Sequence, residues 1–167
     1  AETAPTVTEW MKEDGRPKTI FYWEEESDWG KTYVDFGMKG SEEYGIKVLG
    51  REKFLTGAKD FTDLILKTKV ADPDVMCGLT LPTDAITFIK QMRELNYLPR
   101  LTALQRSVDI YDPIRAAHPY FDGNLGGGVW NEDLPVKATD IAKLFEKENG
   151  YLPSGSWPVG ALAGAEI

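Results

Sequence analysis

Asp74-Val-Met-Cys-Gly-Leu-Thr80, then Pro82-Thr83, then Arg100-Leu-Thr-Ala-Leu-Gln105: residues 74–105 carry two short, largely apolar runs with one helical repeat between them. The first run has no charge after Asp74 and no strict alternation of apolar and polar residues. A strand of that kind is buried on both faces, which points to a parallel sheet covered by helices. Between the runs, Ile86, Ile89, Met92 and Leu95 recur at the spacing of a helix with one buried face, and Thr83 stands where its N-cap is expected.

The same unit repeats upstream. Lys18-Thr-Ile-Phe-Tyr-Trp23 is β-branched and aromatic and reads as a buried strand. The acidic run from Glu24 to Asp28 reads as a solvated loop. A helix follows from Trp29 to Tyr44, with Ser27 or Asp28 as its cap, Tyr33, Phe36 and Met38 at apolar positions and Gly45 as its stop. Ile46-Lys-Val-Leu49 opens a second strand that can extend to Phe54. Asp60 reads as the N-cap of a helix bearing Phe61, Leu64, Ile65 and Val70, and Pro73 punctuates before the third strand. The order through residue 105 is therefore β-α-β-α-β-α-β. It predicts an α/β fold, a doubly wound parallel sheet with right-handed crossovers.

After Gln105 the pattern changes. Residues 107–125 are rich in Pro, Asp and aromatics, Gly126-Gly-Gly-Val-Trp130 reads as a short fifth strand, and Thr139 is expected to cap a helix bearing Ile141, Leu144 and Phe145. Residues 150–158, with Pro153 and Pro158, read as a linker. The tail from Val159 to Ile167 is small and apolar throughout, as in a helix that packs on something else. Residues 1–150 are read as one α/β lobe and 151–167 as a crossing toward a second one, so the chain is expected to be part of a larger protein.

Composition narrows the function. The 167 residues are 42% hydrophobic and 28% charged, values of an ordinary packed domain. A formal net charge of −8 argues against a general phosphate-backbone binder, which needs a basic face, so no nucleic-acid partner is expected. Cys77 is the only cysteine, which excludes an intramolecular disulfide, and its apolar setting reads as core. His118 has no cysteine or acid pair at ligand spacing beside it, so no metal is expected. Gly123-Asn-Leu-Gly-Gly-Gly128 matches neither a phosphate-binding loop nor the dinucleotide fingerprint, and there is no Gly-x-Ser-x-Gly elbow. Neither a catalytic constellation nor a cofactor is expected. Trp10, Trp23 and Trp157 read as packing residues.

In an open parallel sheet, ligands sit beyond the carboxyl ends of the strands, where helix N-termini present unpaired N–H groups. That edge collects the segment from Glu24 to Gly30, the turn from Phe54 to Ala58, Leu79-Thr-Leu-Pro-Thr83, Gln105-Arg106 and, at its border, Val129-Trp130. The candidate ligand-binding residues are Trp29, Thr80, Leu81, Gln105, Arg106 and Trp130. They combine aromatic surface, neutral hydrogen-bonding groups and one cation, a set suited to a small organic molecule. Arg106 offers bidentate geometry for a carboxylate. The bland alternatives are a Trp29 that packs on the sheet and an Arg106 that is simply solvated.

Several blocks resemble the second lobe of type I periplasmic solute-binding proteins, in particular the branched-chain amino-acid receptors of ABC transporters. They are Lys18 to Trp23, Asp28-Trp-Gly-Lys31, Gly57-Ala-Lys-Asp-Phe-Thr62, Ala71-Asp-Pro-Asp-Val75, Ile89-Lys-Gln-Met-Arg-Glu-Leu95, Val129-Trp-Asn-Glu-Asp-Leu-Pro135 and Phe145-Glu-Lys-Glu-Asn-Gly150. The resemblance implies an extracytoplasmic, periplasmic or secreted receptor whose two lobes close on a small-molecule ligand and deliver it to a membrane permease. It places ligand contacts at Trp29, at about Leu81 and at Gln105, where amino-acid binders carry an acid for the ligand ammonium. Gln105 departs from that acid, which leaves a carboxylate or aromatic acid, assisted by Arg106, as an alternative ligand to an amino acid. A sensing lobe of a receptor or transcription regulator with the same fold is the second reading, and a small α/β enzyme the third.

Overall fold

The computed structural model describes residues 17–107, 124–126, 137–151 and 153. Its strands are β1 (Thr19–Glu25), β2 (Lys47–Phe54), β3 (Val75–Leu79), β4 (Leu101–Gln105) and β5 (Asn124–Leu125). Its helices are α1 (Asp28–Glu43), α2 (Thr62–Ala71), α3 (Pro82–Glu94) and α4 (Lys137–Asn149). The strands form one parallel sheet in the order β2-β1-β3-β4-β5.

That order follows from which faces are apolar. Successive side chains of a strand point to opposite faces, and β1 is apolar on both. Phe21 and Trp23 join Met76 and Leu104 on the face covered by α2 and α3, with Leu64, Ile65, Phe88, Ile89 and Met92. Ile20 and Tyr22 join Val75 and Cys77 on the opposite face, under Val34 of α1. Every residue of β3 is buried, as its unbroken apolar run predicts. The first crossover carries the chain outward to β2 along one face. The next two return over the other face to β3 and β4, so the winding direction reverses between β1 and β3.

Close approaches hold the layers in register. A Cβ on Gly50 would lie 2.3 Å from the Phe21 ring, at the point where the β1–β2 pairing shifts by one residue, so the ring lies against bare backbone there. At the amino edge of the sheet, Asp74 Oδ2 accepts from the Lys18 N–H at 2.7 Å and the Thr19 N–H at 3.1 Å, tying the starts of β1 and β3 together.

Local expectations are corrected in several places. Thr83 is not the cap of α3: Pro82 takes the first helical position and Leu81 the cap, because proline's fixed φ and missing N–H suit the first turn. The buried face of α3 is Ala85, Phe88, Ile89 and Met92, while Ile86 and Leu95 are only partly buried. Asp60 accepts from the Thr62 N–H at 2.9 Å and turns the chain into α2, but the cap is Phe61. Thr139 lies within the first turn of α4, which begins at Lys137, and is not its cap; its side chain is buried. Phe36 and Val70 face solvent. The described fifth strand is Asn124–Leu125, with Gly126 outside it, and the rest of the expected strand, 127–130, lies outside the described residues; Asn124 pairs with Thr102, and its side-chain oxygen accepts from the Leu104 N–H at 3.2 Å, a bond no glycine can supply. Trp10, His118, Trp130, Trp157 and the tail from Val159 lie outside the described residues.

The acidic run is also corrected. Glu24 and Glu25 belong to β1, and Glu24 is 2% exposed. Its carboxylate meets the Arg51 guanidinium, which reaches on to Asp35 of α1 at 2.7 Å. Alternation sends Glu24 to the α1 face and Glu25 to the carboxyl edge. Of the three acids, Glu26 alone is a solvated loop residue.

Candidate functional site

The reversal of winding between β1 and β3 opens a crevice at their carboxyl ends, since the loops leaving the two strands run to opposite faces. Glu25 ends β1, and Ser27 caps α1 by accepting from the Gly30 N–H at 3.0 Å. A Cβ on Gly30 would lie 2.2 Å from the Glu25 carbonyl oxygen, so glycine lets the first turn of α1 close directly on the strand. That packing projects Trp29 outward, 61% exposed. Asp28, Trp29, Thr32 and Tyr33 line an open cavity of about 570 Å³.

Arg106 follows β4 in the left-handed backbone region, at φ +65°. Its guanidinium carbon lies 5.8 Å from the centre of the Trp29 ring, within cation–π range. Its Nη1 is 3.9 Å from Glu25 Oε2. The other Glu25 oxygen accepts from the Thr56 hydroxyl at 2.7 Å. Arg106 is therefore not a freely solvated arginine, because the Trp29 ring and a carboxylate of the protein stand beside it.

Thr80 is fully buried at the end of β3. Its N–H donates to the Gln105 carbonyl at 3.0 Å, which joins the ends of β3 and β4. Leu81 caps α3 and is partly buried, and Gln105, the last residue of β4, is partly exposed. Asp84, in the first turn of α3, is 3% exposed and accepts from the Gly57 N–H at 3.0 Å. Burial, and secondarily the charge of Glu25, raises its carboxyl above the usual range. Among the described residues, Glu25 Oε2, Thr80 Oγ1 and Asp84 Oδ2 are buried polar atoms without a hydrogen bond. All three belong to this edge, where buried polar groups are otherwise expected to be paired.

The structure thus brings Trp29 and Arg106 into contact and sets Thr80, Leu81 and Gln105 along the same edge; Trp130 lies outside the described residues. Sequence reasoning missed Glu25 and Asp84. The available signal for Glu25 was β1's alternation carried two residues beyond Trp23. Cys77 is core: burial raises its thiol, and the Tyr33 hydroxyl lies 3.3 Å from its sulfur. No three His, Cys, Asp or Glu side chains converge as metal ligands among the described residues, and no described helix is long and apolar enough to cross a membrane.

Residues 1–166 match the model of a family described as periplasmic binding protein. No curated protein sequence matches the chain. Among solved structures, the chain is similar to a leucine-binding protein from Thermotoga maritima, at 17% identity and TM-score 0.74 over 90% of this chain and 43% of the other. A leucine-, isoleucine-, valine-, threonine- and alanine-binding protein from Brucella ovis, in its closed conformation, gives 19% identity and TM-score 0.75 over 92% and 40%. A branched-chain amino-acid ABC transporter periplasmic ligand-binding protein from Burkholderia xenovorans gives 18% and 0.73 over 95% and 41%. The chain spans less than half the length of each of these structures.

Proposed function

Since the chain belongs to the periplasmic binding protein family, we propose that it supplies one lobe of an extracytoplasmic solute receptor and that its cleft wall is the carboxyl edge around Trp29, Glu25, Thr80 and Arg106. The ligand is a small organic solute, an amino acid or a carboxylate or aromatic acid. The receptor binds without chemistry and hands the solute to an ABC-type permease.

The observation that carries this reading is the exposed Trp29 ring at the winding reversal, on the same strand-end edge as three buried polar atoms with no hydrogen bond. An aromatic surface and directed polar groups at a strand-end crevice form a binding site that needs only a second wall. Leu81 and Gln105 extend the same wall. In this reading residues 1–150 form the lobe, and 151–167 lead toward the second.

A thermal-shift screen of the intact protein against amino acids, aliphatic acids and aromatic acids tests the proposal. A ligand that binds the native state raises the melting temperature by linkage. Trp29→Ala should lower affinity for the best solute at least tenfold with an unchanged melting temperature in its absence. A screen in which no solute stabilises the protein, or a Trp29→Ala variant with undiminished affinity, overturns the assignment.

A further inference from the structure

Resting on that reading of the cleft, we propose that Asp84 holds a proton on Oδ2, shared with Glu25 Oε2, and that loss of this proton to solvent as pH rises releases the turn from Leu55 to Ala58 from the cleft wall.

Glu25 and Asp84 come from different elements and grip adjacent residues of that turn. Glu25, at the end of β1, accepts from the Thr56 hydroxyl at 2.7 Å. Asp84, in the first turn of α3, accepts from the Gly57 N–H at 3.0 Å. Each acid spends one oxygen on the turn and leaves the other, Glu25 Oε2 or Asp84 Oδ2, buried without a hydrogen bond. An ionised carboxylate only accepts, so two anions leave both of those atoms unsatisfied. One proton turns one acid into a donor and gives the other the donor it lacks, in a short charge-assisted O–H···O⁻ bond.

The surroundings put the proton on Asp84. Glu25 has a cation beside it, Arg106 at 3.9 Å, as well as the Thr56 hydroxyl. Asp84 meets the Gly57 N–H, the negative charge of Glu25 and, most weakly, Lys59 of the turn. Burial outweighs these and raises the Asp84 carboxyl above the usual range.

The turn depends on the two acids. Leu55, Thr56 and Gly57 are exposed, so packing does little to hold them. The chain is anchored by other means on either side. Phe54 lies in the core, and the Gln91 side chain of α3 donates to the Lys59 carbonyl at 2.9 Å and accepts from the Phe61 N–H at 2.8 Å. Ala58 packs against the core, and its N–H reaches the Leu55 carbonyl at 3.2 Å. Between these anchors, Glu25 and Asp84 tie Thr56 and Gly57 to β1 and α3. Ionising Asp84 sets two poorly solvated negative charges beside each other, and lifting the turn relieves both by admitting water.

Amide hydrogen exchange and side-chain carboxyl titration of the intact protein, both followed by NMR, test this without any solute. The protection of the Gly57 and Ala58 amides should fall roughly tenfold or more between about pH 5 and about pH 8, and the Asp84 carboxyl should titrate over the same interval. Asp84→Asn keeps an oxygen for the Gly57 N–H and places an NH2 where the O–H stands, so it should stay protected at both pH values. Glu25→Gln keeps an oxygen for Thr56 and removes the like charge, so it should shift the loss of protection to another pH or abolish it. Thermal melts confirm that the variants fold. Equal protection at both pH values in the wild type, an Asp84 carboxyl that titrates in the ordinary range, or the same loss of protection in Asp84→Asn would each overturn the shared proton. None of these results bears on whether the protein is a receptor, which the solute screen decides.

Discussion

Trp23 and Thr68 are joined by a hydrogen bond that neither shares with water: the indole N–H donates to the threonine hydroxyl at 2.7 Å, and both side chains are fully buried. The hydroxyl in turn donates a hydrogen bond to the Leu64 carbonyl at 2.8 Å. A polar chain thus runs from β1 through α2 inside an apolar layer, with Phe88 packed edge-on against the indole at 4.6 Å. Thr68→Val keeps the shape and leaves the indole N–H without a partner, which should cost about 1–3 kcal/mol. Thr68→Ser keeps the acceptor and should cost less. Urea denaturation midpoints decide between them.

Arg51 neutralises the buried Glu24. Arg51→Met would leave that carboxylate with only Lys53, whose nitrogen is 3.8 Å away. A buried charge stripped of its main partner costs about 3–5 kcal/mol, and Lys53 should hold the loss to the lower end. Replacing both residues by methionine should recover part of it. A double-mutant cycle in urea measures the coupling.

Asp74 sets an acid limit on stability. The Lys18 N–H above all holds its carboxyl below the ordinary value of 3.8; burial opposes it, and the Thr19 N–H and hydroxyl add to the lowering. The folded state therefore binds the proton more weakly than the unfolded chain. The resulting stabilisation is present above the unfolded pKa and is lost as pH falls through the folded one. The melting temperature should drop between about pH 5 and pH 2, and Asp74→Asn should flatten part of that drop.

Gly30 and Gly50 separate binding from folding. A Cβ at Gly30 meets the backbone oxygen of Glu25, so Gly30→Ala must push α1 away from β1 and tilt Trp29. It should cost about 1–3 kcal/mol and abolish ligand binding. Gly50→Ala meets the Phe21 ring in the strand interior. It should destabilise by a similar amount and leave affinity unchanged for the fraction that folds. Titration calorimetry beside thermal melts of the two variants shows whether the effects separate.

The repeating β-α pattern, the buried β1 and β3, a cap at Ser27 or Asp28, which the structure settles as Ser27, and the Gly45 stop were all legible in the chain. Each depends on period, propensity or a residue within one helical turn. The helix starts at Thr83 and Thr139 were misplaced because several neighbouring residues can cap, and the choice falls to how the first turn packs. Trp29, Thr80, Leu81, Gln105 and Arg106 were legible as edge residues, because strand ends fix the edge.

The sequence by itself determined that this is a doubly wound α/β lobe: apolar periodicity states which faces must be buried, and a parallel sheet is the way to bury them. Tertiary structure decided which charged groups meet at the carboxyl edge. Arg106 and Glu25 lie on different strands, and no local signal says that one guanidinium reaches both Trp29 and that carboxylate. The run Glu24-Glu25-Glu26 reads as three equal acids. The sheet makes one of them an inner ion pair, one a residue of the carboxyl edge and one a surface residue, because alternation and the end of a strand act on positions and not on residue types.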